Sequence, residues 1–141
     1  ENGSVDLIYA SHVIEYFDRE EVQTLLTAWQ SKLKKGGILR LAVPDFSSMS
    51  RLYQDGAFSL DSFLGPLYGK MKMQENLIYH KTAYDYDSLE RLLRASGYNE
   101  VMTWDWRKTD HSHFDDHSQA YVPHMDKENG TLISLNVEAV K

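Results

Sequence analysis

The chain of 141 residues contains no cysteine, which excludes disulfide bonds, thiolate metal ligands and a cysteine nucleophile. The lack of cysteine favours a reducing compartment such as the cytoplasm. No apolar run approaches the length of about 18 residues that a membrane span requires, and no basic leader precedes an apolar segment. We therefore expect no transmembrane helix, no signal peptide and no membrane partner.

Basic residues are also scarce, with 15 Lys and Arg against 21 Asp and Glu and a formal net charge of −6. Binding to a phosphate backbone needs clustered positive charge, so nucleic acid is not expected as a partner. What the chain does contain is 42% hydrophobic and 12% aromatic residues. That composition is typical of a single packed domain of this length.

Two apolar runs, Val5–Ala10 and Ile38–Val43, flank a helical pattern. Both runs lack alternation with polar residues, which is typical of strands buried on both faces. Between them, Asp18 and Glu21 have the spacing of a capping box, and apolar residues then recur at helical intervals. Gly36-Gly37 is predicted to end the helix. A strand, a helix and a strand connected in this way form a parallel, right-handed βαβ unit.

The rest of the chain predicts three helices and two strands. Two short helices fall within residues 46–80, over one end of the sheet, and a third helix ends at Gly97. The strands are Val101–Trp106 and Thr131–Val140, separated by a polar stretch over residues 108–130. Since two strands joined without a helix are most easily antiparallel, we expect the last strand to run antiparallel to its neighbours.

In this order the elements resemble the C-terminal half of a class I, Rossmann-like methyltransferase that depends on S-adenosylmethionine (SAM), of the methyltransferase type 11 kind. The resemblance is carried by Asp6–Tyr16 (DLIYASHVIEY), Leu33–Gly37 (LKKGG), Pro44-Asp45 and Ser96-Gly97-Tyr98. It implies one α/β domain with a mostly parallel sheet whose strands match family strands 4-5-7-6, the last strand antiparallel, with helices packed on it. Residues 46–80 are then a lid-like excursion and residues 108–130 a long hairpin loop.

The resemblance implies SAM as the cofactor, but the chain contains neither the Gly-x-Gly-x-Gly loop of the family nor the acidic residue that ends the following strand. These elements hold the methionine part and the ribose hydroxyls in such folds. One interpretation is therefore a truncated enzyme with a missing N-terminal half, inactive alone. The alternative is a non-catalytic assembly module that forms a homodimer through the exposed strand at residues 5–10.

Candidate site residues follow the first predicted strand. Ser11 and His12 come directly after it, at the carboxyl edge where open α/β sheets bind ligands. The resemblance implies that Ser11, His12 and Glu15 contact the cofactor, and that His12 or His80 is the base that deprotonates the methyl acceptor. In the alternative interpretation, Ser11 caps a helix, His12 packs beside Trp29, and Glu15 interacts with the helix dipole.

Candidate acceptor-binding residues follow the second predicted strand. Asp45 either orients the acceptor or caps the next helix. Tyr53, Tyr79 and Tyr84 lie in or just after the excursion, where aromatic walls suit a small-molecule pocket. The alternative for these tyrosines is an ordinary secondary core. We expect a small-molecule or sugar acceptor.

Histidine and aspartate are concentrated in residues 110–126, which include His111, His113, His117 and His124. Imidazole and carboxylate groups bind zinc, iron or manganese. The spacing matches no fixed metal motif, so we expect a solvated loop and no metal site. A metal-binding domain built on this loop is the weaker alternative.

Overall fold

The computed structural model describes all 141 residues, with four α-helices and eight strands. The helices are α1 (Arg19–Lys32), α2 (Phe46–Gln54), α3 (Leu60–Tyr68) and α4 (Tyr86–Ala95). The strands are β1 (Val5–Ser11), β2 (Leu33–Pro44), β3 (Met71–Met73), β4 (Asn76–Ile78), β5 (Asn99–Thr103), β6 (Tyr121–Val122), β7 (Thr131–Leu132) and β8 (Ser134–Val140). None of the helices combines the length and apolar character needed to cross a membrane.

The main sheet has the strand order β1-β2-β8-β5. β1 is parallel to β2, whereas β8 is antiparallel to both β2 and β5. The strand order and the antiparallel last strand agree with the prediction. The expectation of a mostly parallel sheet is not confirmed: the sheet is mixed, and only one of its three ladders is parallel. The reason is that β8 inserts between β2 and β5, so that these two strands, which run the same way, do not pair with each other.

α1 begins at the predicted capping box. The backbone N–H of Asp18 donates to the Glu21 carboxylate over 3.2 Å, and the Asp18 side chain faces the first turn. Val22 and Leu26 are the fully buried residues of the helix. A capped first turn followed by apolar residues at helical spacing thus positions α1 against the sheet.

The end of α1 differs from the prediction. The helix stops at Lys32, and β2 begins directly at Leu33. Gly36 and Gly37, expected to end the helix, lie within β2, where the ladder with β1 is irregular. Gly36 has a φ of 76°, a left-handed conformation that glycine adopts without a steric penalty. The glycine pair therefore accommodates an irregular stretch of strand instead of a helix cap.

The main core lies between the sheet and the pair α1 and α4. It contains 16 buried residues, which come from both helices and from alternate positions of the strands. Tyr98 links the layers, because its hydroxyl donates to the Leu26 carbonyl over 2.9 Å inside the core. The core thus fixes β1 and β2 side by side, with their carboxyl ends at the same edge.

The opposite face of the sheet carries polar and aromatic side chains. The Arg40 guanidinium forms an ion pair with Glu138 at 3.1 Å and lies 5.3 Å from the centre of the Trp104 ring. The Tyr9 hydroxyl donates to the Asp116 carboxylate over 2.6 Å. Because Asp116 belongs to the long segment after β5, this segment covers the face of the sheet that α1 and α4 leave free.

Residues 46–80 contain the two predicted short helices, α2 and α3, and also a hairpin that the sequence did not predict. The hairpin pairs β3 with β4, and its turn includes Gln74 with a φ of 54°. All side chains of β3 and two of the three in β4 are exposed. Because these strands are only three residues long, their apolar pattern is too short to distinguish from a loop.

Residues 108–130 were predicted to form a long hairpin loop, but the segment is more ordered than that. It includes a 3₁₀ helix at His117–Gln119 and the short strand β6, which pairs with β7. The final strand, predicted as Thr131–Val140, is divided into β7 and β8 at Ile133. The break occurs because the Ile133 N–H bonds the Ala120 carbonyl instead of the main sheet.

Candidate active site

The polypeptide turns sharply where β1 ends. His12 has a φ of 51°, a left-handed conformation that is uncommon for residues other than glycine. Its N–H still donates to the Ala42 carbonyl of β2 over 2.8 Å, so the turn stays attached to the sheet. A 3₁₀ helix follows at Ile14–Tyr16 and buries Glu15 completely. The carboxyl end of β1 thus places His12 and Glu15 within one buried cluster.

Glu15 has 0% of its surface exposed, and neither of its carboxyl oxygens has a hydrogen-bond partner. The nearest basic atoms are Nδ1 of His12 at 3.6 Å and Nε2 of His80 at 3.7 Å, both measured from Oε1. Burial raises the pKa of the Glu15 carboxyl to about 7. A carboxyl group that is buried away from water without a hydrogen-bond partner is costly to ionise, so Glu15 holds a proton up to neutral pH.

Both histidines of the cluster are neutral at pH 7. Burial lowers the pKa of His12 to about 3, and the neighbouring His117 and His80 act in the same direction. Burial also lowers the pKa of His80, against the opposing effect of its hydrogen bond to the Leu67 carbonyl. A neutral imidazole keeps the lone pair of one nitrogen free, although the same burial that keeps the ring neutral also makes this nitrogen a weaker base than a solvated histidine.

His80 reaches the cluster from the segment after β4. Its N–H donates to the Tyr68 carbonyl over 2.8 Å, and its Nδ1 lies 3.2 Å from the Leu67 carbonyl. The ring also packs edge-on against Tyr16, with 4.6 Å between ring centres. The Tyr16 hydroxyl in turn donates to the Gly69 carbonyl over 2.8 Å. The end of α3 is therefore attached to the turn after β1.

A cleft of about 660 Å³ opens beside this cluster. Ten residues line it, and eight of them are hydrophobic. They are His12, Val13, Tyr16, Phe17, Met71, Met73, Leu77, Ile78, Tyr79 and Lys81. The one lysine is already paired with Asp18 at 2.8 Å and with Glu21 at 3.7 Å. The cleft thus combines apolar walls with the imidazole of His12, which is how small-molecule sites are usually built.

The predicted site residues do not all meet at this cleft. His12, Glu15 and His80 form the cluster, Tyr79 lines the cleft, and the buried Ser11 hydroxyl next to His12 has no hydrogen-bond partner.

The other three predicted residues do not line the cleft. The Asp45 carboxylate caps α2, accepting from the N–H groups of Ser47 and Ser48. Tyr53 is exposed on α2 and stacks on Phe63, with 5.9 Å between ring centres. Tyr84 belongs to the main core.

The histidine and aspartate residues of 110–126 have structural contacts. No group of three or more His, Asp or Glu side chains is arranged to hold a metal ion. His117 packs against His12 with 5.1 Å between ring centres, and His111 packs against Tyr9 at 4.4 Å. Asp116 caps the 3₁₀ helix at His117–Gln119. This segment thus closes over the side of the site that faces β8.

The sequence did not identify Ser134 and Asn136 as site residues. The Ser134 hydroxyl lies 3.2 Å from Nε2 of His12 and donates to the Asn136 side chain over 2.9 Å. Both residues lie on the same face of β8, at alternate positions. The alternation of polar and apolar residues in the sequence predicts this face of the strand, but it does not indicate a functional role for the face. Their burial by the 3₁₀ helix at His117–Gln119, a contact distant in sequence, could not be predicted from that pattern.

Comparisons with solved structures bear on the fold. A scan of protein-family models and a search of curated proteins both find no match. A SAM-dependent methyltransferase from Archaeoglobus fulgidus superposes with a TM-score of 0.57 at 18% identity, over 99% of this chain and 61% of the other. One from Mesorhizobium loti gives 0.51 at 18% identity, over 100% and 63%.

A methyltransferase of Haloferax volcanii, in complex with the Trm112 methyltransferase activator, gives a TM-score of 0.51 at 13% identity, over 99% of this chain and 55% of the other. At these identities the likeness concerns the fold, and it confirms the expected class I methyltransferase-like fold. The chain spans about three fifths of the length of the Archaeoglobus and Mesorhizobium proteins.

Proposed function

We propose that these residues form the acceptor side of a SAM-dependent methyl-transfer site, with His12 as the group that takes up the acceptor proton and His80 as its neighbour. The observation that carries the proposal is the apolar cleft beside the neutral His12, at the carboxyl end of β1. In open α/β sheets this edge is where ligands bind. The likeness in fold to SAM-dependent methyltransferases supports the same reaction class.

The residues present fit part of SAM. The Ser11 hydroxyl and the Glu15 carboxyl are buried polar groups without partners, next to the end of β1, and such groups are available to hold polar parts of a cofactor. When bound, SAM supplies an electrophilic methyl group on a sulfonium. Since no glycine-rich loop follows a strand in the chain, we propose that polypeptide outside these 141 residues holds the rest of the cofactor.

The chain's own residues would position the acceptor and accept its proton. Tyr16 and Phe17 form one wall of the cleft, and the β3–β4 hairpin, part of the lid-like excursion, forms the other. The walls exclude water from the acceptor, and His12 lies beside them to take the proton of a hydroxyl or amine as the methyl group is transferred.

The lining favours one class of acceptor. Eight of the ten lining residues are hydrophobic, and the charge of Lys81 is already balanced by Asp18 and Glu21. A free sugar would leave most of its hydroxyl groups unpaired against such walls. We therefore propose a small apolar or aromatic molecule that carries a hydroxyl or amine.

Methyl transfer from radiolabelled SAM to a panel of phenols, arylamines and glycosides tests this function. With the protein that contains these 141 residues, we expect transfer to phenols or arylamines, and a rate at least about 100-fold lower in His12→Gln, the usual size of the effect of a general base. The matched control is His113→Gln, since His113 is exposed and its ring packs against Phe114. A rate in His12→Gln equal to that of the wild type would contradict the role of His12.

A second function, assembly, is favoured by the free edge of β1. β1 pairs only with β2, and Leu7 on this strand is 43% exposed. An unpaired edge with apolar residues associates readily with another strand. We propose a second copy as the partner, with the two β1 strands antiparallel across a two-fold axis.

Sedimentation of wild type and Leu7→Lys tests the assembly. We expect a dimer that dissociates in Leu7→Lys, because a charged side chain on an edge strand opposes pairing. A wild-type chain that stays monomeric, or a Leu7→Lys variant that stays dimeric, would rule out this interface.

A further inference from the structure

Two buried polar side chains connect His12 to a backbone carbonyl through three hydrogen-bond contacts. Nε2 of His12 lies 3.2 Å from the Ser134 hydroxyl, which donates to Oδ1 of Asn136 over 2.9 Å. The Asn136 amide then donates to the Ser118 carbonyl over 2.9 Å. Ser134, Asn136 and Ser118 are 3%, 4% and 1% exposed, so water does not compete for these bonds.

The carbonyl at the end of this series fixes the direction of every bond in it. A backbone carbonyl only accepts, so Asn136 must present its NH₂ group to Ser118. Its amide oxygen, which also only accepts, must then face Ser134. Ser134 consequently donates its single hydroxyl proton to Asn136. Toward His12, the Ser134 oxygen can only accept a hydrogen bond. Nε2 of His12 must therefore carry a hydrogen.

We propose that Ser134 and Asn136 are positioning residues that hold His12 in the tautomer protonated at Nε2, so that Nδ1 is the nitrogen that accepts a proton. The tautomer follows from the hydrogen bonds alone. The assignment of Nδ1 as the atom that takes up the acceptor proton rests on the proposed function. A fixed tautomer keeps the lone pair of a catalytic imidazole in one place before the acceptor binds.

The same reasoning applies to His80 with the opposite result. Nδ1 of His80 lies 3.2 Å from the Leu67 carbonyl, which only accepts, so Nδ1 carries the hydrogen and Nε2 is bare. Bare nitrogens of His12 and His80 then lie 3.6 and 3.7 Å from Oε1 of Glu15. Two lone pairs disfavour an ionised carboxylate between them, so Glu15 is the member of the cluster that holds a hydrogen.

The series also gives a role to the segment after β5. Ser118 lies in the 3₁₀ helix at His117–Gln119, which the Asp116 carboxylate caps. Asp116 is bonded to Tyr9 of β1 as well, so the helix is attached to the sheet at two places. The position of the Ser118 carbonyl, and with it the direction of the bonds to His12, is thus set by the packing of this segment on β1 and β8.

Two-bond ¹H–¹⁵N correlation spectra of the ¹⁵N-histidine-labelled chain test the proposal at neutral pH. For wild type we expect one dominant tautomer at each histidine, protonated at Nε2 in His12 and at Nδ1 in His80. In Ser134→Ala and in Asn136→Leu we expect His12 to become a mixture of both tautomers. Ser134→Thr, which keeps the hydroxyl, is expected to restore the wild-type spectrum.

Ser96→Ala is the matched control, since Ser96 is also buried and its hydroxyl bonds the Leu92 carbonyl far from His12. It is expected to leave the His12 signals unchanged. A wild-type His12 protonated at Nδ1 would overturn the proposal without recourse to any variant. So would a His12 spectrum that is the same in Ser134→Ala as in wild type. These spectra need neither SAM nor an acceptor, so their outcome does not depend on whether methyl transfer is detected.

Discussion

Replacing Gly69 by alanine is expected to destabilise the folded chain by about 3 kcal/mol or more, whereas Gly56→Ala costs only about 1 kcal/mol. Both glycines have a left-handed backbone, with φ values of 51° and 72°, so both alanines carry the same conformational cost. The surroundings differ. A Cβ atom at Gly69 would overlap the imidazole of His80, while at Gly56 it would meet no atom within 4 Å.

Urea denaturation of the two variants measures this difference, and a double-mutant cycle assigns it. In a His80→Ala background, Gly69→Ala should cost no more than Gly56→Ala, because the ring that it would displace is gone. If Gly69→Ala remains just as costly without the imidazole, then His80 does not pack against Gly69. Equal effects of Gly69→Ala and Gly56→Ala in the wild-type background would have the same meaning.

The close contact also explains why α3 ends where it does. The backbone N–H and the ring of His80 are hydrogen-bonded to the Tyr68 and Leu67 carbonyls, respectively, and the Tyr16 hydroxyl is hydrogen-bonded to the Gly69 carbonyl. Any side chain at Gly69 would push the end of α3 away from His80 and from the turn after β1. We therefore expect the cluster to depend on this glycine, although it carries no functional group.

The βαβ unit could be predicted from the sequence because its determinants are local. Val5–Ala10 is a continuous apolar run, and the capping box of Asp18 and Glu21 lies directly before the apolar residues of α1. Each pattern lies within one helical turn or one strand, so neighbouring residues are enough to recognise it. His12 and Glu15 could be identified for the same reason, since they follow the first strand at the edge where ligands bind.

What could not be predicted depends on contacts between distant segments. Gly36-Gly37 is equally consistent with a helix end and with an irregular strand, and only the pairing of β2 with β1 decides between them. Ser134 contacts His12 across 122 positions of sequence. Tyr84 resembles a pocket residue by type but is placed in the core by packing. No local pattern contains these contacts.

Glu15→Gln is expected to raise the free energy of unfolding by about 3 kcal/mol near pH 8 and to change it little near pH 4 to 5. Burial raises the pKa of this carboxyl from 4.5 to about 7 in the folded chain. Each unit of difference between the folded and unfolded pKa corresponds to about 1.4 kcal/mol, which sets the size of the effect. Glutamine keeps the shape of the protonated carboxyl and cannot ionise.

The Glu15→Gln substitution is stabilising at high pH because the folded state retains the Glu15 proton to a higher pH than the unfolded state does. Below pH 4.5 both the folded and the unfolded chain hold it, and Glu15 costs nothing. As the pH rises through the interval up to about 7, the unfolded chain releases the proton first, and the folded state loses stability. His12 acts in the opposite direction, since its pKa is lowered from 6.5 to about 3, but it is present in both proteins and cancels in the difference.

Urea denaturation of wild type and Glu15→Gln at a series of pH values measures the difference. The matched control is Glu20→Gln, because Glu20 is an exposed carboxyl in the first turn of α1, and its replacement should change stability by less than about 0.5 kcal/mol at every pH. A Glu15→Gln difference that stays constant from about pH 5 to about pH 8 would mean that this carboxyl does not titrate there. A loss of stability near pH 8 would mean that the ionised Glu15 is stabilised by partners, contrary to the two bare imidazole nitrogens inferred beside it.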